Sequence, residues 1–390
     1  MIWKLLVSTI EPGSVGGGGM TKRYSVSSLV LAFTLALLAT RPVLAQQDQT
    51  WSSPELVVQT TGEASVSTMA LLSDPHGQLH LFFPHRPDEA PSVGIDYAYW
   101  NGSEWSQLVN VLVNQDGSDA THVRAALDSR RAVHLVWHGG GNGLWYASAP
   151  LALAGSARAW SAPTKIAVAL SEADIMVGPD DAIYVGYADA SWLDSVYLIR
   201  SSDGGATWAS AERVASSDRP ASAVDQVRIS GDRNGRLHVV WTEYALPDGW
   251  PPTAAFYTRS VDGGATWEIP QLVAEEQHGQ IGIAAVEDRV HLVWRSVVGG
   301  DGTFHQWSAN GGDRWSVPDS VADGGGFSGL PSFAVDTTGA LHYVIGPAYV
   351  ATWSDGALSS YVDVAGEELR NGTNQGERWT HPERAEIAIT

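Results

Sequence analysis

The sequence predicts an all-β propeller built from four-stranded blades. Three features carry that expectation: a short apolar run holding a histidine that returns every fifty-odd residues, a glycine-rich turn that returns with it, and no helical periodicity beyond residue 45. The runs are QLHLFF with His80, AVHLVW with His134, RLHVVW with His238, RVHLVW with His291 and ALHYVI with His342; AIYVGY, with Tyr184, fills the gap. Neighbouring runs are 50 to 54 residues apart, by their positions in the chain. Each alternates or is wholly apolar over five or six residues, the pattern of a half-buried or fully buried strand.

The other strands of each unit follow in order. About ten residues before the histidine lies another strand, such as VRAALD or VRISGD, ending in a turn of Asp, Asn, Gly or Arg. A third strand follows, seen in DYAYW, VYLIRS and AFYTRS, then the glycine turn. A Trp-x-x-Pro segment leads into the fourth strand in WSAPTKIAV, WEIPQLVA and WSVPDSVA. A four-stranded sheet cannot bury both its faces alone, whereas a ring of such sheets can. Six repeats are complete. WSSPELVVQ at Trp51 reads as the end of a repeat and ERAEIAIT at Glu383 as the start of one, so a seventh blade would close if the reading frame continued past Thr390.

Composition limits the partners. The 390 residues are 44% hydrophobic and 17% charged, with 17 tryptophans and a formal net charge of −20. That charge repels nucleic acid and anionic membrane surfaces, so neither is expected as a partner. There is no cysteine, hence no disulfide framework and no thiolate metal site. From Met20 the chain reads as an export signal, with Lys22 and Arg23, an apolar core over 29–39 and a small-residue cleavage site at Val43-Leu44-Ala45. The expected organisation is an upstream segment 1–19 from a misassigned start, a signal peptide over 20–45, and one propeller domain over 46–390. The mature chain is then secreted or periplasmic and keeps no transmembrane segment. The alternative is an uncleaved anchor.

The glycine turn is SSDGGATW at 201–208, SVDGGATW at 260–267 and SANGGDRW at 308–315. Its chemistry reads as structural. Asp203 and Asp262 can accept backbone N–H groups further along the turn, and Gly204, Gly205, Gly263, Gly264, Gly311 and Gly312 permit positive φ. Trp208, Trp267 and Trp315 can pack into the blade, and Asn310 replaces the aspartate in the third copy. Asn101-Gly102-Ser103-Glu104-Trp105 and Trp353-Ser354-Asp355-Gly356 retain traces of the pattern. Ser-x-Asp-Gly-Gly-x-Thr-Trp is similar to the Asp-box, or bacterial neuraminidase repeat, and the chain resembles sialidase-type propellers over about 50–390. The resemblance implies that ligands bind on the face opposite the boxes, at the loops joining strand two to three and one blade to the next.

Those loops supply His85, Arg86, Pro87, Asp88 and Glu89; His138; Asp189, Trp192 and Asp194; Glu243, Tyr244 and Trp250; and Arg295 and Asp301. The inner strands add a matched column ten residues before each central His or Tyr: Ala70, Arg124, Asp174, Arg228, Ile281 and Ser332. Charges lining a channel must be hydrated or paired. Asp174 balancing Arg124 and Arg228 without a ligand is one reading of the column, and an anion site is the other. By resemblance to sialidases, the substrate carboxylate would be held by three arginines drawn from Arg86, Arg124, Arg228 and Arg295. Tyr244 or Tyr349 would be the nucleophile, Glu243 its partner and Asp189 the acid/base. Adjacent Glu243 and Tyr244 on one strand point to opposite faces, which counts against them as a pair. The family's Arg-Ile-Pro segment is absent, since HRPDEAP has Arg86 and Pro87 without it.

No cofactor or metal is expected. One histidine per blade at a fixed strand position is a packing signature, because residues spread around a ring cannot converge on one ion. DGSD at 116–119 reads as a solvated loop, with weak calcium binding as the alternative. Two functions remain: a recognition module for an extracellular glycan or protein, favoured by the missing Arg-Ile-Pro segment, and an exo-sialidase or related exo-glycosidase with a divergent arginine site.

Overall fold

The computed structural model describes residues 69–86, 90–169, 171–247, 249, 251–275, 278–296, 302–322, 332–336, 339–345 and 349–354, together with short strands outside those ranges. The fold is a six-bladed β-propeller. Blade two is typical: strands Thr121–Leu127, Ala132–Gly139, Gly143–Pro150 and Thr164–Val168 pair antiparallel in chain order. The same order holds in blade one over 70–112, blade three over 174–216, blade four over 222–275 and blade five over 278–322. In blade six, strands Ser332–Val335, Leu341–Ile345 and Tyr349–Ser354 are followed by two short strands that share the fourth position, Ala357–Leu358 and Val362–Asp363. The segment 51–58, on which a seventh blade would draw, lies outside the described residues, as do Asp355 and Gly356. Leu6–Ser8 pairs with Arg384–Glu386. No helix among the described residues is long and apolar enough to cross a membrane.

First strands of adjacent blades pack against each other, which places them innermost. The core lies between blades. Phe82 of blade one meets Trp137 and Trp160 of blade two; Val136 and Tyr146 meet Ile175 and Val185 of blade three; Leu198 meets Val224, Val239 and Trp241 of blade four. Val240 and Tyr257 then meet Ile281 and Trp294, and Val293 meets Leu341, Tyr343 and Trp353. Covered on both faces, a strand such as Ile183–Ala188 is buried at every position, which is why these strands read as apolar runs rather than alternating ones.

The glycine turns join strands three and four, as expected. In blade three, Ser201 Oγ donates to Asp203 Oδ1 at 2.8 Å and accepts the Gly205 N–H at 2.8 Å. Thr207 donates its N–H to Asp203 Oδ1 at 2.9 Å and its hydroxyl to Oδ2 at 2.5 Å. Blade four repeats this with Ser260, Asp262, Gly264 and Thr266. In blade five Asn310 Oδ1 accepts from Ser308 Oγ and the Arg314 N–H, so the amide keeps two of the three bonds the carboxylate makes in blades three and four. The paired glycines have φ between 66° and 98° in all three turns. Blade two replaces the turn with two single-turn 3₁₀ helices, Leu151–Leu153 and Ala157–Ala159, the second ahead of Trp160; a third spans Gly140–Asn142. Helical turns after residue 45 had not been expected.

The turns of blades three and five also latch onto the preceding blade. Tyr146 of blade two donates its hydroxyl to Gly204 O at 3.0 Å and meets Trp208 edge-on at 5.0 Å. Tyr257 of blade four meets Trp315 of blade five in the same way at 4.9 Å. The recurrent histidines serve these tyrosines: His80, His134 and His238 lie 2.7–2.9 Å from the hydroxyls of Tyr97, Tyr146 and Tyr257. Blade five substitutes His305 for the tyrosine, 3.1 Å from His291. Burial lowers the proton affinity of these histidines. Among the described residues no three His, Cys, Asp or Glu side chains are grouped to hold a metal.

Candidate functional site

A propeller strand that runs inward to outward in chain order puts the start of strand one and the end of strand two on one face. That face is opposite the glycine turns. There, in blades two to four, the polar side chains of the channel mouth gather on blade three. Glu172, just ahead of strand Asp174–Val177, accepts from Arg124 Nη2 of blade two at 3.2 Å and from Arg228 Nη2 of blade four, both on Oε2. His122 Nε2 lies 3.5 Å from the other carboxylate oxygen. The side chains of Arg228 and Glu172 are nearly buried, and Arg124 is 20% exposed. Burial first, and then the nearby Arg124, lower the proton affinity of Arg228, while Glu172 and Asp174 oppose them.

Local backbone geometry aims this cluster. The first strands of blades two and four each carry a bulge at the same register, between Thr121 and Arg124 and between Asp225 and Arg228. His122 has φ 53° and Gln226 φ 50°, left-handed conformations that bulky residues seldom adopt. His122, Glu172 and Gln226 each stand two residues before the matched column of Arg124, Asp174 and Arg228, His122 and Gln226 inside the bulges and Glu172 just ahead of its strand. His138, at the end of the second strand of blade two, stacks edge-on against His122 at 5.7 Å. Burial, reinforced by His122, pushes its pKa down to about 4. Two nearly buried polar atoms here have no hydrogen-bond partner: His138 Nε2 and Gln226 Oε1.

Arg124 and Arg228 are therefore brought together, and Glu172 is their direct partner. Asp174 contributes field rather than contact: its oxygens accept the N–H groups of Ile175 and Ile229, both at 3.1 Å. Arg86 is tied elsewhere, its Nη2 donating to both oxygens of Asp119 at 2.9 and 3.0 Å, with both side chains nearly half exposed. Arg295 is half-buried at the end of the second strand of blade five. Glu243 is buried, accepting from Ser217 Oγ at 2.7 Å and Trp241 Nε1 at 3.1 Å, and burial raises its pKa. Tyr244 is half-buried beside Asp225, and burial raises its pKa too. Consecutive residues of one regular strand, Glu243 and Tyr244 project to opposite sides. Asp189 accepts N–H groups from Ser191 at 2.7 Å and Trp192 at 3.3 Å, ordering a loop that leaves Trp192 64% exposed. Pro87, Asp88, Glu89, Trp250 and Asp301 lie outside the described residues, and nothing is described of the Tyr349 side chain.

Sequence reasoning missed Glu172, His122 and Gln226. All three fall at one shared offset, two residues ahead of Arg124, Asp174 and Arg228, but no motif marks them.

No protein-family model and no curated protein matches the chain. Solved structures share the fold. A protein of unknown function from Dyadobacter fermentans aligns with a TM-score of 0.54 at 14% identity, covering 77% of this chain and 95% of that one. An ulvan lyase of polysaccharide lyase family PL25 aligns at 0.52 and 13%, covering 79% and 81%. The Trypanosoma rangeli sialidase in complex with the inhibitor DANA aligns at 0.50 and 12%, covering 79% of this chain and 56% of the sialidase. At these identities the likeness is one of fold: the chain is a six-bladed β-propeller whose neighbours include carbohydrate-active proteins.

Proposed function

We propose that the chain is an exported Asp-box propeller of sialidase-like type that recognises a glycan outside the cytoplasm. The observation that carries this reading is the neutralisation of Arg124 and Arg228 by Glu172. A site built to hold an anionic substrate needs free guanidinium donors, and here both arginines already share an internal carboxylate. What remains at the mouth is a polar, partly open surface, with an exposed tryptophan on a neighbouring loop of blade three. An exposed Trp face beside hydrogen-bonding groups is suited to the apolar ring face and hydroxyl edge of a sugar. Export rests on the signal-like segment after Met20, and the Asp-box assignment on the three glycine turns.

A second reading, hydrolysis of terminal sialic acids, is favoured by one observation. The guanidinium groups of Arg124 and Arg228 converge on a single carboxylate oxygen, as they would on a substrate's. The test is sialic acid release from sialyllactose, run beside a glycan array on protein shown to melt cooperatively. Glycan binding without release supports the recognition module. Release that disappears in Arg124→Ala or Arg228→Ala establishes the hydrolase instead.

A further inference from the structure

An apolar rim lies beside the channel mouth, on the ligand-side face where blades three and four meet. Trp192 is 64% exposed there, and Leu193 and Leu246 are each 38% exposed. Pro220 and Pro247 are exposed as well. Three loops supply these residues, and backbone bonds set the loops side by side. Leu193 O accepts the Val224 N–H at 2.7 Å, and Ala221 O accepts the Leu246 N–H at 2.6 Å. The first strand of blade four, Ser222–Gly231, joins the rim to the mouth: it meets Leu193 through Val224 and Glu172 through Arg228. The loop that carries Trp192 is also well tied. Asp189 Oδ1 accepts the Ser191 and Trp192 N–H groups, Trp192 O accepts the Ser195 N–H at 3.1 Å, and Asp194 O accepts the Ser217 N–H at 2.7 Å.

Exposed apolar side chains on a backbone already held in place are preorganised, because little freedom is left to lose on binding. Neighbouring apolar side chains with polar ones around them mark protein interaction surfaces, and tryptophan is enriched among their anchors. A sugar can stack on the Trp192 indole, but the leucines and prolines beyond it offer no hydrogen-bonding side chain to a hydroxyl. Charge narrows the partner. The loops hold Asp189, Asp194 and Asp218 against Arg219, and Arg219 is close enough to Glu243 to lower that carboxyl's proton affinity. The whole chain carries a formal net charge of −20. A second copy and an anionic membrane are both repelled, whereas a basic partner is drawn in. We infer that the rim formed by Trp192, Leu193, Pro220, Leu246 and Pro247 is a docking surface for a segment of a protein partner that is apolar at its centre and basic at its flanks.

Docking at the rim holds with or without a glycan at the mouth, and the two are measured apart. The full chain is titrated against synthetic peptides with a Leu-Phe-Ile centre flanked by lysine, by serine or by glutamate, read by fluorescence polarisation; a glycan array is run on the same proteins. Lysine-flanked peptides are expected to bind about tenfold or more tightly than glutamate-flanked ones, and less tightly as salt rises. Trp192→Ser should weaken that binding about thirtyfold, the loss of a tryptophan anchor. Leu193→Ser/Leu246→Ser should weaken it about tenfold through lost apolar contact, and leave oligosaccharide binding unchanged. Ile269→Ser, at a residue 87% exposed on the opposite face, should leave peptide binding as it is. Should the double variant fail to melt cooperatively, Trp192→Ser and the flank preference still decide the matter. No peptide bound, equal binding of all three flanks, or binding untouched by Trp192→Ser overturns the inference and leaves glycan recognition standing. A dimer in sedimentation that Trp192→Ser abolishes overturns it in favour of a second copy. Oligosaccharide binding lost in the double variant overturns it in favour of the glycan.

Discussion

Tyr146, on the third strand of blade two, donates its hydroxyl to the carbonyl oxygen of Gly204, in the glycine turn of blade three, across 3.0 Å. The same hydroxyl lies 2.7 Å from His134 Nδ1. One phenol thus joins the repeated histidine of one blade to the repeated turn of the next. The junction of blades four and five repeats the arrangement: the Tyr257 hydroxyl lies 2.9 Å from His238 Nδ1 and its ring meets Trp315 of the next turn. Tyr146→Phe should remove both bonds while keeping the ring against Trp208. The expected loss is about 1–3 kcal/mol, because a half-buried carbonyl and a buried imidazole nitrogen are left unmet. Urea denaturation of the two proteins measures it.

In the blade-three turn the close approach makes the second glycine, Gly205, more exacting than the first, Gly204, whose Cβ would meet nothing nearer than 3.5 Å. A Cβ at Gly205 would stand 2.0 Å from Tyr146 Oη, on a backbone with φ +86°. A Cβ at Gly263, the first glycine of the blade-four turn, meets nothing nearer than 3.9 Å at φ +72°. Gly263→Ala should cost only the left-handed backbone penalty, ~1–2 kcal/mol. Gly205→Ala adds displacement of the tyrosine and should cost roughly 3 kcal/mol or more. Equal melting-temperature shifts for the two variants would contradict the latch.

Acid stability should carry the mark of the turn aspartates. Hydrogen bonds from Thr207 and Ser201 hold Asp203 at a pKa of about 2, and Thr266 and Ser260 do the same for Asp262. The ordinary value is 3.8, so the unfolded chain takes up these protons first. Their contribution is present above pH 4 and is lost as pH falls toward 2. Asn310 already makes two of the same bonds without titrating. The double variant Asp203→Asn/Asp262→Asn should therefore flatten the stability profile between pH 4 and 2, read from urea midpoints at each pH.

A second acid step should come from blade five. His291 and His305 face each other at 3.1 Å, one nitrogen donating and the other accepting, and burial pushes their pKa values down to about 3 and about 4. Unfolded histidine titrates near 6.5, so the unfolded state binds more protons between pH 6.5 and 4 and stability falls as pH drops through that window. His305→Tyr imports the partner found in blades one, two and four. It should remove up to ~3 kcal/mol of that loss, the free-energy equivalent of moving one histidine from 6.5 to about 4. An unchanged slope would mean that the pair does not titrate as a neutral unit.

The repeat was legible because it is local: His80, His134, His238, His291 and His342 sit at one register of one strand, and the turns of blades three, four and five are each written in eight consecutive residues. The site was legible only in part. The charged column of Arg124, Asp174 and Arg228 followed from the same register, and the structure brings both arginines to the channel mouth. Glu172 did not stand out, because its place beside them depends on two blades meeting and on bulges at His122 and Gln226 that no local pattern announces. Arg86 is grouped with the channel arginines because it lies on a ligand-side loop, after the second strand of blade one. Its partner, Asp119, comes from the junction of blades one and two, 33 residues away.

The strongest coupling should lie between Arg228 and Glu172. Both side chains are about nine-tenths buried, and Glu172 accepts from Arg124 through the same oxygen. Removing Arg228 leaves the nearly buried Glu172 with only the longer contact to Arg124, 3.2 Å away, to offset its charge. Arg228→Ala is therefore expected to cost about 3–5 kcal/mol. Arg124 is more exposed and water can replace part of its role, so Arg124→Ala should cost less, ~1–2 kcal/mol. Replacing the cluster whole is a different matter: apolar side chains of similar volume are often neutral or stabilising where an ion network stood. The triple variant Arg124→Leu/Glu172→Leu/Arg228→Met should thus lose far less stability than its three single changes summed. Urea unfolding of the full cycle measures the difference. Strict additivity would show that the three residues do not share their charge, and that Arg124 and Arg228 are available to an acidic ligand after all.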